Sequence, residues 1–188
     1  WSYASWSEIA FDAEITEGVE EFEPESFTLG YRSTQQIMTY ANKLLPRHER
    51  QVDNIQDEGV KPTVVKSSKK DLVRTCVDTA VELARRYAEG TTAIITTTAQ
   101  DFLTYMRRAS WVLDARDGRK LSKDSLTIYL LTPENSRGLE FDGVVVVEPD
   151  SFPRNLGRYG ALYTSLTRAN RELAVVHAQP LPDPLRKR

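Results

Sequence analysis

Residues 143–147 read Gly-Val-Val-Val-Val, and no face of such a segment can be offered to water. A run of this kind is stable only as a strand inside a sheet that is covered on both faces. The β-branched run at 91–98 makes the same demand, and residues 126–131 and 173–177 supply two further apolar strands. Between these runs the period changes. Leu72, Val73, Cys76, Val77, Ala80, Val81, Leu83, Ala84 and Tyr87 recur at helical spacing after Ser68, and Gly90 stands where a C-terminal cap belongs. A helix is expected at 33–45, with Ser33 as N-cap, Gln36 reaching back to it and Pro46 as the stop. Two more helices are expected, one at 99–113 with Phe102, Met106, Ala109 and Leu113 inward, and one at 159–169. Short strands are expected at 27–31 and 62–65, a polar loop at 47–60 and a charged turn at 114–123 around Gly118. Strands alternating with helices specify an α/β domain: a mostly parallel sheet with helices on both faces.

Composition narrows the function. The formal net charge is −2, which argues against a chain that binds nucleic acid by bulk positive charge alone. A single cysteine, Cys76, rules out an internal disulfide and fits a reducing, cytoplasmic setting; its place on an apolar helix face makes it a core residue. His48 and His177 come with no partner cluster, so no metal site is expected. No apolar run approaches the ~20 residues that span a bilayer, and no membrane association is expected. The chain begins at Trp1 and is expected to be part of a longer protein. Residues 1–25 are read as an acidic connector, 26–179 as the domain, and 180–188, with three prolines, as a loose tail.

Three local patterns carry chemistry. In Tyr31-Arg32-Ser33-Thr34 an arginine ends a strand and precedes a helix, a place where ligands gather at the carboxyl ends of parallel strands. A guanidinium there can hold a phosphate oxygen with two parallel hydrogen bonds, and Tyr31 offers a flat face to a base. In Ser136-Arg137-Gly138-Leu139-Glu140-Phe141-Asp142, Gly138 permits a tight backbone path and the close approach of a ligand. Glu140 can accept hydrogen bonds from ribose hydroxyls, and Asn135 and Arg137 can touch a phosphate backbone. In the third pattern, 162–169, Arg168 falls near the C-terminal end of its helix. The helix dipole alone favours a cation there by roughly 0.3–1 kcal/mol, while a role on the γ-phosphate of a nucleotide is the functional alternative. No Gly-x-x-x-x-Gly-Lys-Ser/Thr loop occurs, so the chain looks like half of an ATP site.

Together the three patterns resemble motifs IV, V and VI of the C-terminal motor domain of superfamily 1 helicases of the UvrD/Rep type. The resemblance spans residues 26–178. It implies a three-layer RecA-like domain of the P-loop NTPase type. It also implies an ATP-dependent DNA helicase or translocase whose ATP and Mg2+ are bound mainly by an N-terminal lobe. By resemblance Arg32 and Arg168 are arginine fingers, Tyr31 stacks on adenine, and Gly138 and Glu140 line the nucleotide. Motif V contacts to single-stranded or duplex DNA fall on Thr132, Asn135 and Arg137. Two positions depart from the pattern: Gly30 stands where the family usually has Asn, and Glu134 where it often has a DNA-contacting His. The stretch 131–149 looks closer to the HelD branch, helicase-like ATPases that work on RNA polymerase. The interval from Thr34 to Leu131 is too short for the large subdomain inserted in UvrD itself and agrees with that branch. A non-catalytic α/β interaction module is the remaining alternative.

Overall fold

The computed structural model describes residues 29–30, 33–50, 53–54 and 59–186. Its centre is a seven-stranded sheet built from β3 (Thr63–Lys66), β4 (Thr92–Ile95), β5 (Val112–Leu113), β6 (Lys120–Lys123), β7 (Leu126–Leu131), β8 (Phe141–Val147) and β9 (Ala169–His177). The spatial order is β3-β9-β8-β4-β7-β6-β5. The first five strands in that order run parallel, and β6 and β5 add an antiparallel end. The helices are α1 (Gln35–Ala41), α2 (Leu72–Arg86), α3 (Ala99–Arg108), α4 (Gly160–Leu166) and α5 (Asp183–Arg186). Two short strands, β1 (Leu29–Gly30) and β2 (Asp53–Asn54), pair in parallel as a separate small sheet.

The apolar strands alternate between two cores, as two-sided burial requires. Ala93 and Ile95 of β4, Val144 and Val146 of β8, and Leu173 and Val175 of β9 face one core with Ile37, Leu162, Leu166 and Leu185. Ile94, Val145, Val147, Ala174 and Val176 face the other with Cys76, Val77, Ala80, Leu83, Phe102 and Met106. One layer therefore holds α1, α4 and α5, and the other holds α2 and α3. This is the expected three-layer α/β architecture.

Several local expectations are corrected. Helix α1 has Thr34 at its N-cap with no side-chain cap bond; the Ser33 hydroxyl is instead directed to the carbonyl of Thr167, 3.4 Å away. Ser68 lies before α2, whose N-cap is Asp71, and the Ser68 hydroxyl accepts the Asp71 amide at 3.1 Å. Gly90 is not a left-handed cap. A Cβ there would lie 2.4 Å from Asp142 Oδ2, and that carboxylate accepts the Thr91 amide at 2.8 Å, so close approach explains the glycine. Helix α3 stops at Arg108: Ser110 takes φ 67°, Trp111 is buried, and Val112 and Leu113 become edge strand β5. The charged segment 114–123 ends in β6, which turns back into β7 through Asp124 and Ser125, both at positive φ as a two-residue hairpin turn demands. Residues 47–60 are not all loop, since β2 lies within them. The described part of the tail, 180–186, is seated rather than loose: Leu185 of α5 is buried in the α1–α4 core with Leu181 packed against it.

Cys76 is fully buried in α2, as its helical position predicted. Burial, with a smaller contribution from the Glu148 carboxylate, pushes its thiol from the usual 9.0 up to about 12. Burial likewise pushes the Tyr40 phenol up to about 12. An acid whose folded pKa is raised contributes stability that is complete below its unfolded pKa and is lost as pH rises toward the folded value. The folded chain is therefore expected to leave Cys76 unmodified by a thiol reagent at pH 8 and to react only after denaturation. Its thermal midpoint is expected to fall between about pH 9 and pH 12. Rapid labelling under native conditions is the contrary result.

Candidate nucleotide-handling site

The segment from Thr132 to Glu140 joins β7 to β8, with β4 lying between them in the sheet. Both strands run the same way, so the segment leaves the carboxyl end of β7 and arrives at the amino end of β8. Its middle is a compact helical turn. The Asn135 amide donates to Thr132 Oγ1 at 3.3 Å, and the Ser136 amide donates to the Thr132 carbonyl at 3.1 Å. Ser136 is fully buried and its hydroxyl donates to the Pro133 carbonyl at 2.8 Å. Gly138 has φ +75°, a conformation that costs any residue with a Cβ about 1–2 kcal/mol. The space where its Cβ would point is open, so backbone conformation rather than crowding selects glycine. Asn135, Arg137 and Glu140 are exposed, and Thr132 is half-buried.

Arg168 lies two residues past α4 rather than within it, immediately before β9. It is only 9 % exposed. Its Nε donates to the carbonyl of Thr164 at 3.0 Å, and its Nη1 donates to the carbonyl of Leu139 at 3.0 Å. The first bond satisfies a carbonyl in the last turn of α4, the placement the helix dipole favours. The second ties the arginine to the loop before β8. The backbone repeats the tie: the Phe141 amide donates to the Arg168 carbonyl at 2.9 Å, and Phe141 and Ala169 are register partners. Ser33, through Thr167, brings the start of α1 to the same junction.

The second and third sequence patterns therefore meet at the amino end of β8 and β9, with Ser33 of the first pattern beside them. Arg168 and Glu140 flank Phe141 at this edge, whereas Thr132 opens its loop at the carboxyl edge of β7. Thr132 and Glu140 thus occupy the two ends of one connection, with Asn135, Arg137 and Gly138 between them. Tyr31 and Arg32 lie outside the described residues. Among the described residues no group of His, Cys, Asp and Glu is arranged to hold a metal ion, and no helix is long and apolar enough to cross a membrane.

Sequence reasoning missed the groups that hold the arginine. The carbonyls of Leu139 and Thr164 carry no side-chain signature. Ser33 was legible only as a helix cap, because its long-range partner is invisible in local spacing. A second feature also went unread. Glu172 is 6 % exposed, and Arg86 Nη1 donates to both of its carboxylate oxygens at 2.5 and 2.6 Å, with the Tyr87 hydroxyl at 3.0 Å. It fastens β9 to the end of α2.

Residues 127–176 match the model of the UvrD-like helicase C-terminal domain. That segment contains most of β7, the loop to β8, β8 itself, α4 and most of β9, which are the elements that form the junction. Among solved structures, the C-terminal domain of a possible DNA helicase from Lactobacillus plantarum is similar with a TM-score of 0.61 and 23% sequence identity, covering 84% of this chain and 92% of that one. The fold is RecA-like. The large terminase of a thermophilic bacteriophage is a more distant likeness, with a TM-score of 0.44 and 8% identity over 79% of this chain and 39% of that one. No curated protein matches the chain.

Proposed function

We propose that the chain is the C-terminal motor lobe of an ATP-dependent DNA helicase or translocase. It supplies Arg168, together with Arg32, to a nucleotide held by a separate N-terminal lobe. The observation that carries this reading is the double anchoring of the Arg168 guanidinium by the Thr164 and Leu139 carbonyls. A cation fixed before any nucleotide arrives needs no reorganisation when negative charge develops on a transferring phosphoryl group. Glu140, exposed at the same edge, is suited to the ribose side of the nucleotide. ATP brings the hydrolysable bond. In this reading Mg2+ belongs with the partner lobe, which holds the phosphates it would bridge.

The route of the 132–140 segment supports coupling as well as binding. In this reading Thr132, Asn135 and Arg137 contact the DNA strand, and Leu139 accepts a hydrogen bond from the arginine. A strand the length of β7 separates the two edges by roughly 20 Å. One connection, clamped at buried Ser136, can report the state of one edge to the other.

Joined to its N-terminal lobe, the chain is expected to support magnesium-dependent ATP hydrolysis that single-stranded DNA stimulates. Alone it is expected to hydrolyse nothing. Turnover by this chain alone, unaffected by Arg32→Ala and Arg168→Ala, would overturn the reading. The exposed carboxylate of Glu134, beside Asn135, favours one second reading. A carboxylate repels a phosphate backbone, so this edge would suit a protein target, as in a HelD-type remodeller of RNA polymerase. ATPase activity stimulated by RNA polymerase and indifferent to DNA would select it.

A further inference from the structure

We propose that Lys66, Lys69 and Lys70 form a second contact for the phosphodiester backbone of a single nucleic-acid strand, so that a strand held at the 132–137 loop continues across the carboxyl edge of the sheet to β3. The inference rests on the reading of that loop as a nucleic-acid contact. Lys66 is the last residue of β3, and Lys69 and Lys70 lie in the turn that leads into α2. All three are exposed.

Two properties mark these lysines: they fall within five residues at one end of β3, and none has an ion-pair partner among the described residues, a lack they share with exposed Arg85, Arg107, Arg108 and Arg116, which lie on α2, on α3 and after β5. Arg74, Arg86, Arg119, Arg154, Arg158 and Arg171 each face a carboxylate. No described carboxylate lies within ion-pair distance of Lys66, Lys69 or Lys70. The nearest acidic residue in the chain, Asp71, is already occupied: the Ser68 hydroxyl donates to it at 2.7 Å and Arg74 Nη2 at 2.9 Å. Lysine on an open edge strand has an ordinary purpose, which is to discourage pairing with another strand. That purpose accounts for Lys66. It does not account for Lys69 and Lys70, which stand beyond the strand and guard no edge.

The strand ends between the two contacts suit a phosphate chain. Strands β9, β8 and β4 lie between β3 and β7, so Lys66 and Thr132 are about 19 Å apart at ~4.8 Å per strand. Along that edge stand His177 at the end of β9, and exposed Ser151 and Thr97, whose hydroxyls are 2.8 Å apart. The two carboxylates at the end of β8 are turned to other partners. Glu148 accepts the amides of Ala178 and Gln179 at 2.6 and 3.2 Å, and Asp150 accepts Arg154 at 2.5 Å. A strand leaving the loop toward β3 therefore meets hydroxyl groups and then an unneutralised positive cluster. The low net charge of the chain does not oppose this, because the cluster is local.

The test is fluorescence anisotropy of a labelled oligothymidylate over a salt series, with the chain and its Lys66→Gln/Lys69→Gln/Lys70→Gln variant. Three lost phosphate contacts are expected to flatten the slope of log K against log salt by about 2, at ~0.7 per contact for a single strand. Affinity at low salt is expected to fall at least tenfold. An unchanged slope in the triple variant, with binding weakened by Arg137→Ala, would overturn the lysine contact and leave the loop contact standing. Absence of DNA binding by the chain under all salt conditions would overturn both. Loss of poly-glutamate binding without loss of DNA binding in the triple variant would assign the patch to an acidic polypeptide and overturn the proposal.

Discussion

Replacing Arg168 with alanine in the protein that carries both lobes is expected to lower ATP turnover by about 10³–10⁵-fold, the range removed with an arginine that stabilises a transferring phosphoryl group. Nucleotide affinity is expected to change far less, because the missing charge acts mainly on the transition state. Arg168→Lys is expected to fall near the alanine value. A lysine ammonium is a point charge on a flexible stem and cannot hold the Thr164 and Leu139 carbonyls 3.0 Å away in a fixed planar fork. The same anchoring gives the residue a structural share. Losing both bonds is expected to cost roughly 1–3 kcal/mol of stability. Steady-state kinetics and a thermal melt on each variant separate the two roles. A variant that melts lower but turns over normally would reduce Arg168 to a cap on α4.

The largest expected loss of stability lies in the other core. Phe102 is the largest of the fully buried side chains among the described residues and lies in the same core cluster as Met106 and Ile94. Phe102→Ala is expected to cost about 3–5 kcal/mol through lost burial and the cavity left behind. With a urea m-value near ~2 kcal/mol/M, typical of chains this size, the unfolding midpoint should fall by about 2 M. An unchanged m-value would show that the denatured state is not altered. A loss below about 1 kcal/mol would mean that α3 collapses onto β7 and fills the space, contrary to the close packing of a sheet covered on both faces.

The parts of this molecule that could be read directly are those whose signal is local and periodic. The valines of β8 and the β-branched run of β4 admit no solvent face, so a covered parallel sheet followed from their composition. The stripe of α2 and the core position of Cys76 followed from a 3.6-residue period. Conformational demands were legible where one residue type answers them, as at Gly138. Boundaries were not. Helix α3 ends at Arg108 although Ala109 and Leu113 continue its period, because Trp111 and the pairing of β5 with β6 claim the chain first. Gly90 was read as a cap, but the reason for it is the Asp142 carboxylate, distant in sequence.

The candidate site divides in the same way. The residue types came from the chain alone: an arginine before an apolar strand, and a glycine and a glutamate before another. Their arrangement came from sheet order. Because β9 lies beside β8, Arg168 meets the Leu139 carbonyl; because β7 and β8 run the same way, one short segment must run from one edge of the sheet to the other. Strand order and register are fixed by long-range burial and backbone pairing, and a linear sequence expresses those terms only once it has folded.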